Sequence, residues 1–117
     1  MNEAWLRDVL EAMESDAVPD DLLGVLSDRY ARYVLSHLSD ESTVTLDALA
    51  DTATGLKATE TGSIATPGDR DEIRVRLYHL VLPKLDAAGY LEFDSETQTV
   101  ERDEIPDVLR ELLRKGT

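Results

Sequence analysis

Five side chains that can bind an anion or donate to a base lie close together in the second half of the chain: Arg70, Arg74, Arg76, His79 and Lys84. A guanidinium group donates two parallel hydrogen bonds to a phosphate or to the major-groove edge of guanine, and an ammonium group pairs with phosphate as a point charge. We therefore expect contacts with double-stranded DNA, with Arg74 and Arg76 as the main residues and the others in support. The alternative is a solvated helix face with ion pairs four residues apart, such as Glu72–Arg76.

One long helix is needed to align these residues. Residues 69–88 have the spacing of an amphipathic helix that Asp69 or Asp71 caps, and its buried stripe would be Ile73, Leu77, Leu80, Val81, Leu85 and Ala88. Pro83 lies inside this segment and removes one hydrogen bond, so we expect a kink near residues 76–80. The opposite face is mixed rather than basic, and its Val75 and Leu82 could contact thymine methyl groups or a protein partner.

A hairpin follows this helix directly. YLEFD and QTVER are strand-like runs joined by a turn at residues 95–97, and strand alternation puts Leu91 and Phe93 on one side, Glu92 on the other. A helix that ends near Gly89 and leads into a tight hairpin predicts a mainly α fold with a small β-hairpin wing, that is, a winged helix-turn-helix. The turn is acidic (Asp94, Glu96), so contact between the wing and DNA stays open.

The preceding segments supply the remaining elements. Apolar spacing predicts helices over residues 2–14, 22–26 and 30–38, the third capped by Ser27. Residues 43–45 are β-prone, and Thr45 can cap a helix over 46–53 that ends at Gly55. The stretch from 52 to 68 is rich in Thr, Gly, Ser and Ala and predicts a loop. We expect one domain, with an N-terminal helix in 1–16, a core in 20–102 and a C-terminal helix in 103–117.

Each terminal helix carries its own apolar stripe, which a core of this size does not need. We expect the two stripes to form a homodimer interface, because two-fold pairing places two recognition helices about one DNA turn apart. The alternative is that they pack on their own core in a monomer. The predicted interface consists of Trp5, Leu6, Val9, Leu10, Met13, Ile105, Val108, Leu109, Leu112 and Leu113.

The overall composition limits the function classes. The 117 residues hold 25 acidic and 12 basic residues, a net charge of −13, with three lysines against nine arginines. This balance is typical of a protein that stays hydrated in a halophilic host; the alternative is an ordinary acidic protein that avoids polyanions. With no cysteine and two histidines, we expect no disulfide, metal site or cofactor.

Neither catalysis nor a membrane is indicated. No distinctively spaced carboxylate pair, phosphate-binding glycine loop or nucleophile elbow is present, so we expect no enzymatic activity. No apolar run is long enough to cross a membrane, and the acidic N-terminus does not look like a signal peptide. A cytoplasmic location fits these features.

Three strings carry a family resemblance. LSDRYARYVLSHL (26–38) resembles the opening helix of the arsenic-repressor-like winged-helix superfamily, and LDALA (46–50) resembles the first helix of its helix-turn-helix. RLYHLVLPKLDAAGYLEFDSETQTV (76–100) is similar to the recognition helix and wing of a haloarchaeal winged-helix family of unsettled function. The resemblance implies the fold, a haloarchaeal origin and a regulatory role, and it brings no catalytic or cofactor residues. The chain departs from many winged-helix repressors in the long connection, Gly55 to Gly68, between its two helices.

Two functions therefore compete. In the first, a dimeric transcriptional regulator places the helix over residues 71–88 in the major groove of DNA. In the second, the winged fold is a module that binds another protein without touching DNA. The acidic turn and the mixed helix face favour the second function, and the arginines favour the first.

Overall fold

The fold is mainly helical and carries one small antiparallel sheet, as the sequence predicts. A computed structural model of the chain describes residues 3–13 and 22–115. The elements, in chain order, are α1 (Glu3–Met13), α2 (Leu22–Ser27), α3 (Arg29–Asp40), β1 (Thr43–Thr45), α4 (Leu46–Thr61), α5 (Pro67–Arg76), a π-helical turn (Leu77–Val81), α6 (Leu82–Ala87), β2 (Leu91–Asp94), β3 (Thr99–Arg102) and α7 (Asp107–Lys115). Residues 1, 2, 14–21, 116 and 117 of the predicted segments lie outside the described residues.

The sheet holds three strands rather than the two of the predicted wing. The β-prone run at residues 43–45 pairs with β3, which gives the order β1-β3-β2 with antiparallel neighbours. Val100 lies opposite both Val44 and Phe93, and this apolar row faces the core. The sheet therefore anchors the β2–β3 hairpin, which is the wing, to the helical core.

The helix α4 is twice as long as predicted, and the loop after it is short. Gly55 does not end the helix, which continues to Thr61 and stops at Gly62 in the left-handed conformation (φ 68°). A tertiary contact holds the extra turns, because the Tyr33 hydroxyl donates to Glu60 Oε2 at 2.6 Å. The hydroxyls of Thr54, Thr59 and Thr61 each donate to the carbonyl four residues earlier. The predicted connection from Gly55 to Gly68 is wrong; it spans only residues 62–66.

Two predicted helix caps are also corrected. Thr66, not Asp69 or Asp71, begins α5: its side chain accepts from the Asp69 N–H, while the Asp69 carboxylate accepts from the Thr66 N–H. Pro67 follows at the first helical position, where its missing N–H costs nothing. Likewise Asp28, rather than Ser27, caps α3 by accepting from Tyr30 N and Ala31 N.

The α5 helix, the π-helical turn and α6 run on from Pro67 to Ala87 as one segment, here called the central helix. The irregularity that Pro83 predicts takes the form of the π-helical turn, in which the Leu82 N–H bonds to the Leu77 carbonyl five residues back. The extra residue in this turn rotates the side chains of the following residues around the helix axis. Leu82 is therefore fully buried and Leu80 is 61% exposed, so the sequence-based assignment of both residues, and of exposed Ala88, is wrong.

The terminal helices pack on the chain's own core. The Trp5 indole N–H donates to the Leu112 carbonyl at 2.7 Å, and Lys115 Nζ lies 3.5 Å from Asp8 Oδ2. Arg102 and Arg110 donate to carbonyls at the end of α3, which ties β3 and α7 to that helix. Within the described ranges, no helix combines the length and apolarity that crossing a bilayer requires.

Candidate recognition surface

The central helix turns one side toward α4, and the two arginines on that side are engaged there. Arg74 Nε donates to Asp47 Oδ1 at 2.8 Å, and Arg70 Nε donates to Asp51 Oδ1 at 2.5 Å. Arg70 Nη2 also lies 3.5 Å from Asp47 Oδ1. The two arginine side chains are only 30–33% exposed. Carboxylates of α4 therefore occupy the guanidinium groups that are predicted to contact DNA, and that contact stays a prediction.

The electrostatics of this cluster agree with its geometry. The hydrogen bond from Arg74 is the main cause that lowers the pKa of Asp47, and the charge of Arg70 adds to it. The hydrogen bond to Asp51 raises the pKa of Arg70. Both shifts favour the charged forms of Asp47 and Arg70, so this pairing offsets the positive charge of the arginines within the chain.

Arg74 also joins the central helix to the wing. Its Nη2 donates to Gln98 Oε1 at 2.9 Å, and the Gln98 carbonyl accepts from the Leu46 N–H at 2.9 Å. Gln98 adopts φ 56°, the left-handed region, at the end of the hairpin turn. One arginine thus connects the first turn of α4, the central helix and the wing. The sequence carries no signal for this contact, since its members lie far apart along the chain.

The remaining predicted cations lie on other sides of the central helix. Arg76 is exposed and its guanidinium carbon lies 5.2 Å from the centre of the Tyr30 ring, which is a cation–π contact. His79 is exposed beside the Tyr78 ring, at 4.7 Å between centroids. Lys84 Nζ donates to the Gly24 carbonyl at 3.3 Å. Three of the five predicted contact residues, Arg76, His79 and Lys84, therefore remain available at the surface.

The outer face of the central helix is apolar and acidic as well as basic. Val75 and Leu80 are 55% and 61% exposed, and Asp71 and Glu72 lie exposed near its first turns. Val75 thus keeps its predicted outward position, whereas Leu82 is removed from the surface. An exposed leucine or valine alone needs no explanation, and these two lie five residues apart on the central helix, one in α5 and one in the π-helical turn.

The wing beside this helix is acidic on its outer side. Glu92 and Glu101 lie directly opposite each other on β2 and β3, and Asp94 and Glu96 follow at the turn. The Asp94 carboxylate accepts from the N–H groups of Glu96 and Thr97, which fixes the turn. The predicted acidic turn is thus present and is part of a larger acidic surface.

The predicted dimer interface is largely interior. The homodimer stays a prediction, but its buried members are core residues of a single chain: Trp5, Val9, Ile105, Leu109, Leu112 and Leu113. Val108 is half-buried against the same core. Leu6 and Leu10 remain exposed on α1, at 52% and 54%. The side chain of Met13 lies outside the described part of the chain.

Among residues 3–13 and 22–115, no group of three or more His, Asp or Glu side chains is arranged to hold a metal ion.

Comparison with known proteins identifies a family. A family model described as "Domain of unknown function (DUF7344)" matches residues 23–101, which is more than half of the chain. No curated protein and no solved structure matches.

Proposed function

The chain belongs to the DUF7344 family, whose description assigns no activity, and we propose that it acts as a protein-interaction module built on a winged fold. One observation carries this proposal. Arg70 and Arg74, two of the three arginines predicted to contact DNA, are paired with Asp51 and Asp47, while the central helix exposes Val75 and Leu80.

Charge supports the same conclusion. Asp71 and Glu72 are exposed on the same helix as the apolar residues, four carboxylates are exposed on the wing, and the chain has a net charge of −13. A phosphate backbone is repelled by such a surface, because nucleic-acid affinity rests largely on cations that displace counterions. A protein with an apolar contact and basic neighbours meets no such repulsion.

DNA binding by a transcriptional regulator is the second candidate, and a specific observation favours it. Arg76 and His79 are exposed on the central helix, near Val75, which could meet a thymine methyl group. In this case Arg76 would be the main contact, and Arg76→Ala would weaken binding to a cognate site.

Photo-cross-linking separates the two candidates. Benzoylphenylalanine is placed at Leu80 on the outer face, and in a control chain at Glu111 on α7; both positions are exposed. Irradiation in the source organism should give a discrete protein adduct from position 80 that is absent from position 111. An adduct with nucleic acid at position 80, with no protein adduct, would overturn the interaction module in favour of the regulator.

The homodimer stays a proposal with a smaller interface. Of the residues predicted for it, Leu6 and Leu10 are the exposed pair, and they lie four residues apart on one face of α1. A two-fold contact would bring the leucine pairs of two copies together.

A further inference from the structure

A groove runs between the C-terminal part of the central helix and the wing. The rings of Tyr78 and Phe93 meet edge to face in it, at 5.6 Å between centroids, and exposed Pro83 forms its helical side. Its volume is about 490 Å³, within the range of sites that bind organic groups. The groove therefore offers an aromatic floor with room for a bulky apolar side chain.

The surroundings of this groove decide which apolar group it suits. Asp86 and Ser95 line both the groove and an adjoining trough, whose other walls include Glu92, Glu96 and Glu101. The described residues that line the groove and the trough include no lysine or arginine. An acidic segment would be repelled here, whereas a cationic segment would be attracted by the carboxylates of the trough in addition to its apolar contact with the groove.

Two features show that this charge is built into the fold. The Asp86 carboxylate accepts from the Phe93 N–H at 2.9 Å, so its position at the edge of the groove is fixed. Glu92 and Glu101 lie directly opposite each other in the β2–β3 register, where like charges destabilise a sheet. A bound cation lying between these two carboxylates would remove that repulsion.

We propose that the groove between the central helix and the wing binds a cationic segment of a partner protein, with one bulky apolar side chain seated on Tyr78 and Phe93. Lysine or arginine residues on either side of that anchor pair with the carboxylates of the trough. An arginine can also stack on the aromatic rings. This inference rests on the proposed interaction module and names the chemistry of its partner.

Fluorescence anisotropy tests the groove directly. The probe is a fluorescein-labelled peptide with one tryptophan between two pairs of lysines, titrated with the full chain. We expect saturable binding that weakens about tenfold when alanine replaces the tryptophan and is lost when glutamates replace the lysines. Absence of saturable binding, or equal affinity for the alanine peptide, would overturn the proposal.

A charge-matched pair of variants separates the groove from general attraction by an acidic chain. Glu92→Gln/Glu96→Gln/Glu101→Gln removes three carboxylates of the trough and should weaken the peptide about tenfold. The control, Glu11→Gln/Glu41→Gln/Glu104→Gln, changes three exposed acids elsewhere and should leave the affinity within about twofold. An equal loss of peptide affinity in both variants would show that the peptide responds only to the overall charge of the chain, and this would overturn the proposed site.

The cross-linking experiment tests whether the partner protein binds at the same groove as the peptide. Loss of the protein adduct at position 80 in the trough variant, but not in the control variant, joins the partner to the groove. An adduct that persists in both variants would overturn the groove and leave the interaction module standing. A nucleic-acid adduct would overturn the module itself.

Discussion

Arg74 of the central helix donates to Asp47 of α4 at 2.8 Å, across 27 positions of the chain. A carboxylate thus takes the place that a phosphate would take on this arginine, and Asp51 does the same for Arg70. Both carboxylates are more exposed than the arginines they neutralise. A partner at this surface would therefore meet the carboxylates of the cluster rather than its guanidinium groups.

Removing the two carboxylates should uncover an anion-binding surface. In Asp47→Asn/Asp51→Asn the two guanidinium groups lose their ionic partners, so retention on immobilised heparin should increase. The measurement is the salt concentration that elutes the variant compared with the wild type.

The control for this experiment is Asp103→Asn/Glu104→Gln, which makes the same change in net charge at two exposed acids near the start of α7. Its elution should shift less than that of the α4 variant. Equal shifts would show that retention follows total charge, and the masking of Arg70 and Arg74 would then have no consequence.

The π-helical turn predicts opposite outcomes for two neighbouring leucines. Leu82→Ala should lower the free energy of unfolding by about 2–5 kcal/mol, because Leu82 is fully buried. Leu80→Ala should change it by less than about 0.5 kcal/mol, because that side chain is exposed. Urea unfolding of the two variants measures both values. A larger loss for Leu80→Ala would restore the regular helical wheel and contradict the π-helical turn.

These leucines also show where sequence reasoning reaches its limit. Pro83 predicts a kink near residues 76–80, and the structure has a π-helical turn at Leu77–Val81. The proline does not say whether the helix bends or takes up an extra residue. Only the second outcome shifts the buried stripe from Leu80 to Leu82, so the helix was predictable while the identity of its outer face was not.

The length of α4 and the pairing of the arginines could not be predicted from the sequence for a related reason. Gly55 is a poor helix former that predicts the end of α4, whereas the turns beyond it are held by a contact between Glu60 and Tyr33 of different helices. Arg70 and Arg74 have suitable partners only once α4 lies beside α5. Local patterns predicted the elements, the wing and its acidic turn, whereas contacts distant in sequence decided which cations remain available.

The capping box at Thr66 predicts a dependence of stability on pH. Hydrogen bonds with the backbone and side chain of Thr66 lower the pKa of Asp69 in the folded chain below its ordinary value of 3.8. A lowered pKa means that the ionised carboxylate stabilises the fold above the unfolded value and that this contribution disappears as the pH falls through the folded value. Asp69→Asn should therefore be less stable than the wild type at pH 7, and the difference should shrink in acid.

Urea unfolding at pH 7 and at about pH 3 measures this difference. Asp71→Asn is the matched control, because Asp71 is exposed and lies two residues further along the same helix. Its difference from the wild type should be smaller at pH 7 than that of Asp69→Asn. A constant deficit of Asp69→Asn at both pH values would mean that the amide disrupts the cap without any contribution from the charge.

The exposed pair on α1 gives the last prediction. If two copies associate through Leu6 and Leu10, then Leu6→Asp/Leu10→Asp should convert the dimer to a monomer, because burying a charge without a partner is strongly unfavourable. Light scattering coupled to size exclusion measures the mass, and circular dichroism verifies that the helices persist. Leu23→Asp, at an equally exposed leucine of α2, is the control and should leave the mass unchanged. A wild-type chain that is monomeric at high concentration would refute the α1 contact. Trp5 and Val9 of the same helix could not replace it, because both are buried in the core of their own chain.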